Sequence, residues 1–398
     1  METLPTELRQ KIIHHLSLPD LKSLRLVSKI WARLGSDHLL SPTFTHVPHR
    51  PSLSHLTSIS QHPVYSYKIR TIRFNHGEIN EYHARHNTYF LNFLLEPDER
   101  SAVMGRAWEG YLGVKELIGR YFGGSCGREV LEGVFGRLES LEGVEVCLMR
   151  WPYGGVEGMD VLEGIWRIPS TRALPRGETV ERFRDILMAL RDSGRGEGLR
   201  RLAHDRLPFE FFTQDTGFLE GIGGVLGGLT SLEVTVVEDE KNEGEGVYGK
   251  GCRNLAGVLR KAGGVEELRL GFQGRTKKSI DLILESFQKE EFTFRHLRKV
   301  SFQYCTTTSK DLFDFLIRHK ESLKEVQLGG EGLRTHRRPN GGVHLEDGSI
   351  KDLFERLKAE MPACEMWVIG DLIGVESGER WLLEDRTRIE ELSEYVID

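Results

Sequence analysis

The chain has 398 residues, 39% apolar and 29% charged, with a formal net charge of −6. It is therefore long enough to bury a sizeable core in more than one structural unit. No apolar run reaches the roughly 18 residues of a membrane helix, the N-terminus has no signal-peptide pattern, and no Lys/Arg run is dense enough for a phosphate-binding surface, so neither a membrane nor a nucleic acid is expected as partner.

Charge is unevenly placed. The first 75 residues hold ten Lys/Arg against four Asp/Glu, and residues 371–398 hold three against nine. The five cysteines, at 126, 147, 252, 305 and 364, include no CxxC pair, which speaks against a zinc knuckle, a redox motif or a disulfide framework. Reduced thiols in a cytoplasmic or nuclear protein are the expectation.

The first predicted helix follows Pro5 and sets Leu8, Ile12, Ile13 and Leu16 on one stripe. Ser17 stands three residues before Asp20, a capping spacing that predicts the start of a second helix. Beyond it Leu21, Leu24, Leu26, Val27, Ile30, Trp31 and Leu34 spread over roughly 220° of a helical projection, wider than one partner surface covers. So short a segment cannot hide that many large apolar groups by itself, and it needs outside surface.

The order Leu4-Pro5-x-Glu7-Leu8, then Ile12 and Leu16, then Asp20-Leu21, then Leu24-Arg25-Leu26-Val27-Ser28-Lys29-x-Trp31 resembles the F-box. Ser28 stands where that family often has cysteine, and His14 and His15 make the end of the first helix more polar than usual. The resemblance implies a three-helix domain at 1–41 that docks on the small adaptor subunit of SCF-type ubiquitin ligases and, through it, on the cullin and RING subunits. Carried over by position, the adaptor contacts would be Leu4, Pro5, Leu8, Ile12, Leu16, Leu18, Leu21, Leu24, Val27 and Trp31.

Residues 42–63, rich in Pro, Ser, Thr and His, read as a linker. From 64 to 370 an apolar spacing of three, three and two recurs: Leu138, Leu141, Val144, Val146; Leu226, Leu229, Leu232, Val234; Phe294, Leu297, Val300, Phe302. Shorter copies end at Phe74, Leu270, Leu328 and Val368. Each copy closes in an alternating run that predicts a strand, and helical windows such as 276–288 and 308–323 lie between them. The steps from Val234 to Leu270, Phe302 and Leu328 are uneven, and a closing asparagine is absent, with Cys305 at that place in one unit.

The fold class expected is α/β (α+β): a three-helix F-box followed by an irregular leucine-rich-repeat-like solenoid of alternating strands and helices, with an irregular α/β domain as the alternative. Residues 75–130 and 150–222 fit no repeat. Residues 371–398 read as an acidic capping helix over the last repeat. If the strand register is right, Arg73, Glu145, Glu233, Arg269, Ser301 and Gln327 form a mixed-charge row on the solvent side, suited to a protein substrate. Taken singly, each reads better as an ordinary solvated strand position.

Three stretches carry residue types that could support chemistry. Gly123–Gly127 satisfies G-x-S-x-G around Ser125, but helical spacing precedes it where a nucleophile elbow needs a strand. Residues 217–228 are glycine-rich without a phosphate-binding pattern. His76, His83 and His86 could approach one metal, yet no second ligand motif accompanies them. No catalytic residue, metal or cofactor is therefore assigned. The expected role is a non-catalytic substrate-recognition subunit of an SCF-type ligase, the alternatives being an adaptor-binding scaffold without a degradation substrate, or an α/β hydrolase-like enzyme.

Overall fold

The structure, a computed structural model, describes residues 4–36, 38–86, 97–122, 127–166, 168, 171–238, 245–274, 277–330 and 340–392. Three short helices open it: α1 (Thr6–His14), α2 (Leu18–Arg25) and α3 (Lys29–Ser36). Pro5 occupies the N-cap of α1. Ser17 caps α2 as its spacing predicts, its Oγ accepting from Asp20 N at 3.4 Å and donating to Asp20 Oδ2 at 2.5 Å. Ile13, Leu21 and Trp31 form a small core with Leu16, Leu24, Leu34 and Leu39 packed on it. This core is separate from that of the remaining chain.

The rest is mixed α and β. Its strands are β1 (Thr43–His46), β2 (Thr71–Asn75), β3 (Glu78–Ile79), β4 (Gly143–Cys147), β5 (Arg172–Ala173), β6 (Arg201–Pro208), β7 (Ser231–Val237), β8 (Glu267–Gln273) and β9 (Lys278–Ser279). After these come β10 (Lys299–Gln303), β11 (Cys305–Thr307), β12 (Glu325–Leu328), β13 (Val343–Leu345), β14 (Glu365–Gly374) and β15 (Arg380–Arg388). One large sheet runs β1-β2-β4-β6-β7-β8-β10-β12-β14, every neighbour parallel, and a row of short strands, β13-β11-β9, continues from the far end of β14.

Parallel pairing needs a crossover at every step, and helices supply it. Those on the sheet are α4 (Ser52–Gln61), α7 (Arg128–Arg137), α9 (Arg176–Asp192), α10 (Thr216–Gly221), α11 (Gly223–Leu226), α12 (Glu245–Lys261), α13 (Asp281–Lys289), α14 (Ser309–Arg318) and α15 (Ile350–Glu360), where α5 (Glu81–Arg85), α6 (Pro97–Phe122) and α8 (Asp160–Trp166) belong to a side unit. Consecutive helices touch in the order α4, α7, α9, α11, α12, α13, α14, α15, parallel to the order of the strands. Between the two layers lie Ile72, Val144, Leu202, Leu232, Leu268, Val300, Val326 and Met366, one per strand and in register.

Several boundaries differ from expectation. Residues 42–63 are not a linker: β1 pairs in parallel with β2, and α4 buries Leu56 completely in the main core. Their prolines and serines hid a strand only four residues long. Residues 150–222, which fit no repeat, contain β6, a full member of the sheet whose second core position is His204 rather than an aliphatic residue. Residues 75–130 contribute β3, α5 and α6 to the side unit, whose own core includes Ile79, Tyr111, Tyr153, Leu162 and Trp166. Of the acidic end, the described residues hold no capping helix but a strand, β15, while 393–398 lie outside the described residues. β15 pairs antiparallel with β14, and Trp381 and Ile389 are buried against the main core.

Three histidines are sealed into the sheet's helix-facing side near β1. His46 Nδ1 lies 2.9 Å from His76 Nε2, and His204 stacks edge-on against Phe183 at 4.8 Å. Burial lowers His46 to about 4 and His204 to about 3, and it holds His76 well below its ordinary value. The folded chain therefore binds fewer protons than the unfolded one as pH falls from about 6.5 to 4, and stability that is complete above that window is lost within it, by about 3 kcal/mol for a histidine shifted this far. Asp205, pushed by burial to about 6, opposes the trend with one proton. We predict that the urea midpoint falls between pH 7.5 and 5, and that His204→Phe makes the fall shallower; an unchanged slope in that variant would contradict this account.

Candidate functional site

Two surfaces stand out. The first is on α1–α3. Fourteen large apolar side chains are exposed among the described residues, and five of them, Leu8, Ile12, Leu18, Leu26 and Val27, fall within residues 8–27. Short helices with a three-residue core cannot cover more, so the excess faces outward. Of the ten positions expected at an adaptor, Pro5, Leu8, Ile12, Leu18 and Val27 are exposed, and Leu4, Leu16 and Leu24 are half-buried. Leu21 and Trp31 are 3% and 1% exposed and belong to the module's own core. Leu26, 89% exposed in the turn between α2 and α3, is not among the positions carried over from the resemblance.

The second surface is the face of the sheet turned away from the helices. Register puts Arg73, Glu145, Glu233, Arg269, Ser301 and Gln327 on one line across it, with Thr45, Ala203 and Trp367 completing the row. All six expected residues are thus brought together. They are not equally free. Glu145, 7% exposed, accepts from Arg73 Nε at 2.7 Å and lies 3.5 Å from Arg201, so its carboxylate is already engaged. Arg269 reaches Glu233 at 3.0 Å.

From β7 onward the face sinks into two adjoining depressions. The lower, about 150 Å³, is lined by Glu233, Glu267, Arg269, Lys299, Ser301 and Glu325, among others. The upper, about 450 Å³, is lined in part by Arg269, Gln273, Gln303, Tyr304, Gln327 and Arg386. Arg386 comes from β15, the segment expected to be a helix, which is why the sequence did not point to it. Its guanidinium lies 4.2 Å from the centre of the Trp367 ring while Nη2 donates to Glu325 at 2.6 Å.

The wall of the upper depression is fastened by a buried ion cluster. Lys277 Nζ donates to Asn340 O at 2.9 Å, Gly342 O at 2.6 Å and Asp371 Oδ1 at 2.9 Å. Asp371 also accepts from Gly342 N at 2.9 Å and contacts His344 Nε2 at 2.8 Å. Gly341 O then accepts from Tyr304 N at 3.0 Å and Gly330 N at 2.9 Å. Burial alone would raise the Asp371 carboxyl, but His344 and Lys277 outweigh it and hold it below its usual range, so it is ionised at neutral pH. The packing here is close. Gly329 has φ +100 and a Cβ on it would meet Ile369 O at 1.8 Å, so only glycine fits.

The described residues of the three stretches with residue types for chemistry lie away from both surfaces. Ser125 lies outside the described residues, and the 26-residue α6, not a strand, is the element before it. Residues 217–228 form α10 and α11. His76 is buried against His46, while His83 is on α5 and His86 just after it; among the described residues no three His, Cys, Asp or Glu side chains group as metal ligands.

A helical module that displays apolar side chains precedes a mixed α/β body with its own core and a large mostly parallel sheet. Residues 1–42 match the family model for F-box-like domains, and the chain therefore carries an F-box-like domain at its N-terminus. No curated protein matches the chain.

Removing one partner of the Lys277–Asp371 pair leaves a buried charge uncompensated, a loss of about 3 to 5 kcal/mol. Asp371→Ala should show that loss in urea unfolding, and Lys277→Met with Asp371→Ala should recover most of it. Additive losses in the double variant would mean that the two groups are not coupled.

Proposed function

We propose that this protein is the substrate-recognition subunit of an SCF-type ubiquitin ligase, with the F-box domain at 1–41 on the adaptor and the outer face of the sheet on a target protein. The observation that carries the reading is the concentration of outward-facing Leu8, Ile12, Leu18, Leu26 and Val27 in the segment that matches the F-box-like family. Exposed leucines and isoleucines on a small module are unfavourable in water, and a partner that buries them gains roughly 1.5 to 3 kcal/mol for each. The adaptor links them to cullin and RING subunits.

On this reading the body is an irregular leucine-rich-repeat-like arc. Its uneven steps are accommodated because each strand need pair only with its neighbours. The chain contributes no chemistry of its own. Holding a target beside the charged conjugating enzyme raises its effective concentration, and that proximity accelerates transfer. The four described cysteines are unpaired thiols, which suits the cytosol or the nucleus where such ligases work.

The test is adaptor binding by purified protein. Leu8→Asp with Ile12→Asp should weaken it at least a hundredfold while leaving the urea midpoint of the whole chain nearly unchanged, because neither side chain belongs to the core of the module or of the body. Trp31→Ala should also abolish binding, but by unfolding the module, with α1–α3 losing helical signal and the sheet retained. Full adaptor affinity in the Leu8/Ile12 double variant would overturn the assignment.

A further inference from the structure

The two depressions differ in charge. Three glutamates, Glu233, Glu267 and Glu325, line the lower one together with Arg269 and Lys299. The upper one is lined, among the described residues, by Arg269 and Arg386 and by no carboxylate. Around those two cations are three side-chain amides, Gln273, Gln303 and Gln327, with the Thr235 hydroxyl and the backbone of Gly271, Gly330 and Gly341. The acids that hold the two arginines, Glu233 and Glu325, belong only to the lower depression. Each guanidinium has five N–H donors in a planar fork, and one ion pair leaves most of them available.

Both cations are held ready. Arg386 is fixed by its stack on Trp367 and by Glu325, and Arg269 by Glu233, so less side-chain freedom remains to be lost when an anion arrives. Gln273 Oε1 is out of contact with water and has no hydrogen-bond partner, an acceptor left unused in the lining of the same depression. Amide side chains of this kind serve the N–H and C=O groups of an extended backbone.

We propose that the upper depression receives the side-chain carboxylate of an aspartate or glutamate in an extended internal segment of the target, seated between Arg269 and Arg386. The assignment rests on the reading of the outer face as the target surface and names the chemistry it selects. The choice of an internal residue over a chain end follows from the shape: Arg269 and Gln327 line both depressions, so the groove continues beyond the carboxylate seat into the lower, glutamate-lined part. Strand residues Gln303 and Lys299 mark the two levels, four residues or roughly 13 Å apart along an extended chain. A basic residue of the target about four positions from the acidic one therefore matches the second level.

The test uses the full chain in complex with its adaptor and ten-residue peptide pools with free C-termini, their varied positions free of Asp and Glu, each with one fixed central residue: Asp, Glu, Asn, Gln, Lys or Leu. Asp and Glu pools should be retained at least fivefold over the Asn and Gln pools, and Arg269→Gln or Arg386→Gln should abolish that preference without affecting adaptor binding. Equal retention of acid and amide pools overturns the carboxylate assignment, and a preference that survives both variants overturns its location. Strongest retention of a pool whose sole carboxylate is its C-terminus overturns the choice of an internal residue. No retention of any pool, with capture of a target protein unaffected by Arg269→Gln and Arg386→Gln, overturns instead the reading of the outer face as the target surface.

Discussion

Register is the constraint on which the body of this protein depends. From β1 to β14 each parallel strand meets the next with the same pair of positions facing the helices, so that Ile72, Val144, Leu202, Leu232, Leu268, Val300, Val326 and Met366 form one line. A slip of one residue in any strand would turn its apolar pair to water and its charged residue into the core. Because the alternation is kept, Arg73, Glu145, Glu233, Arg269, Ser301, Gln327 and Trp367 have nowhere to go but the opposite face. The polar outer row is a by-product of the packing that holds the core.

The same logic explains what could be read in the sequence. Where strands kept the spacing of three, three and two, from Leu138 and again from Leu226 onward, their place and facing were legible, and the six charged and polar row residues came out on one line. The signal failed where side chains left the pattern for a local reason. His204 takes a core position in β6, where it sits against Phe183, and so that strand carried no aliphatic mark. β1 is too short and too rich in threonine and histidine to alternate visibly. The C-terminal segment has apolar residues at a spacing that suits a helix as well as a strand, and the presence of β14 as a pairing edge, a tertiary fact, decided for β15.

The F-box-like module was legible for a different reason. Its residue order is specific over about thirty positions, and periodicity alone told only that the segment holds more apolar groups than it can hide. The structure divides those groups. Ile13, Leu21 and Trp31 hold the module together, while Leu8, Ile12, Leu18, Leu26 and Val27 stay exposed. The division could not be read from a projection, because Leu26 and Val27 belong to the turn between two helices.

Amide hydrogen exchange on the whole chain, with and without the adaptor subunit, tests the central claim most directly. The account predicts slowed exchange confined to α1, α2 and the turn at Leu26 and Val27, with the strands from β1 to β15 unchanged. Protection that appears on the outer strands instead, or none within residues 6–28, would contradict it.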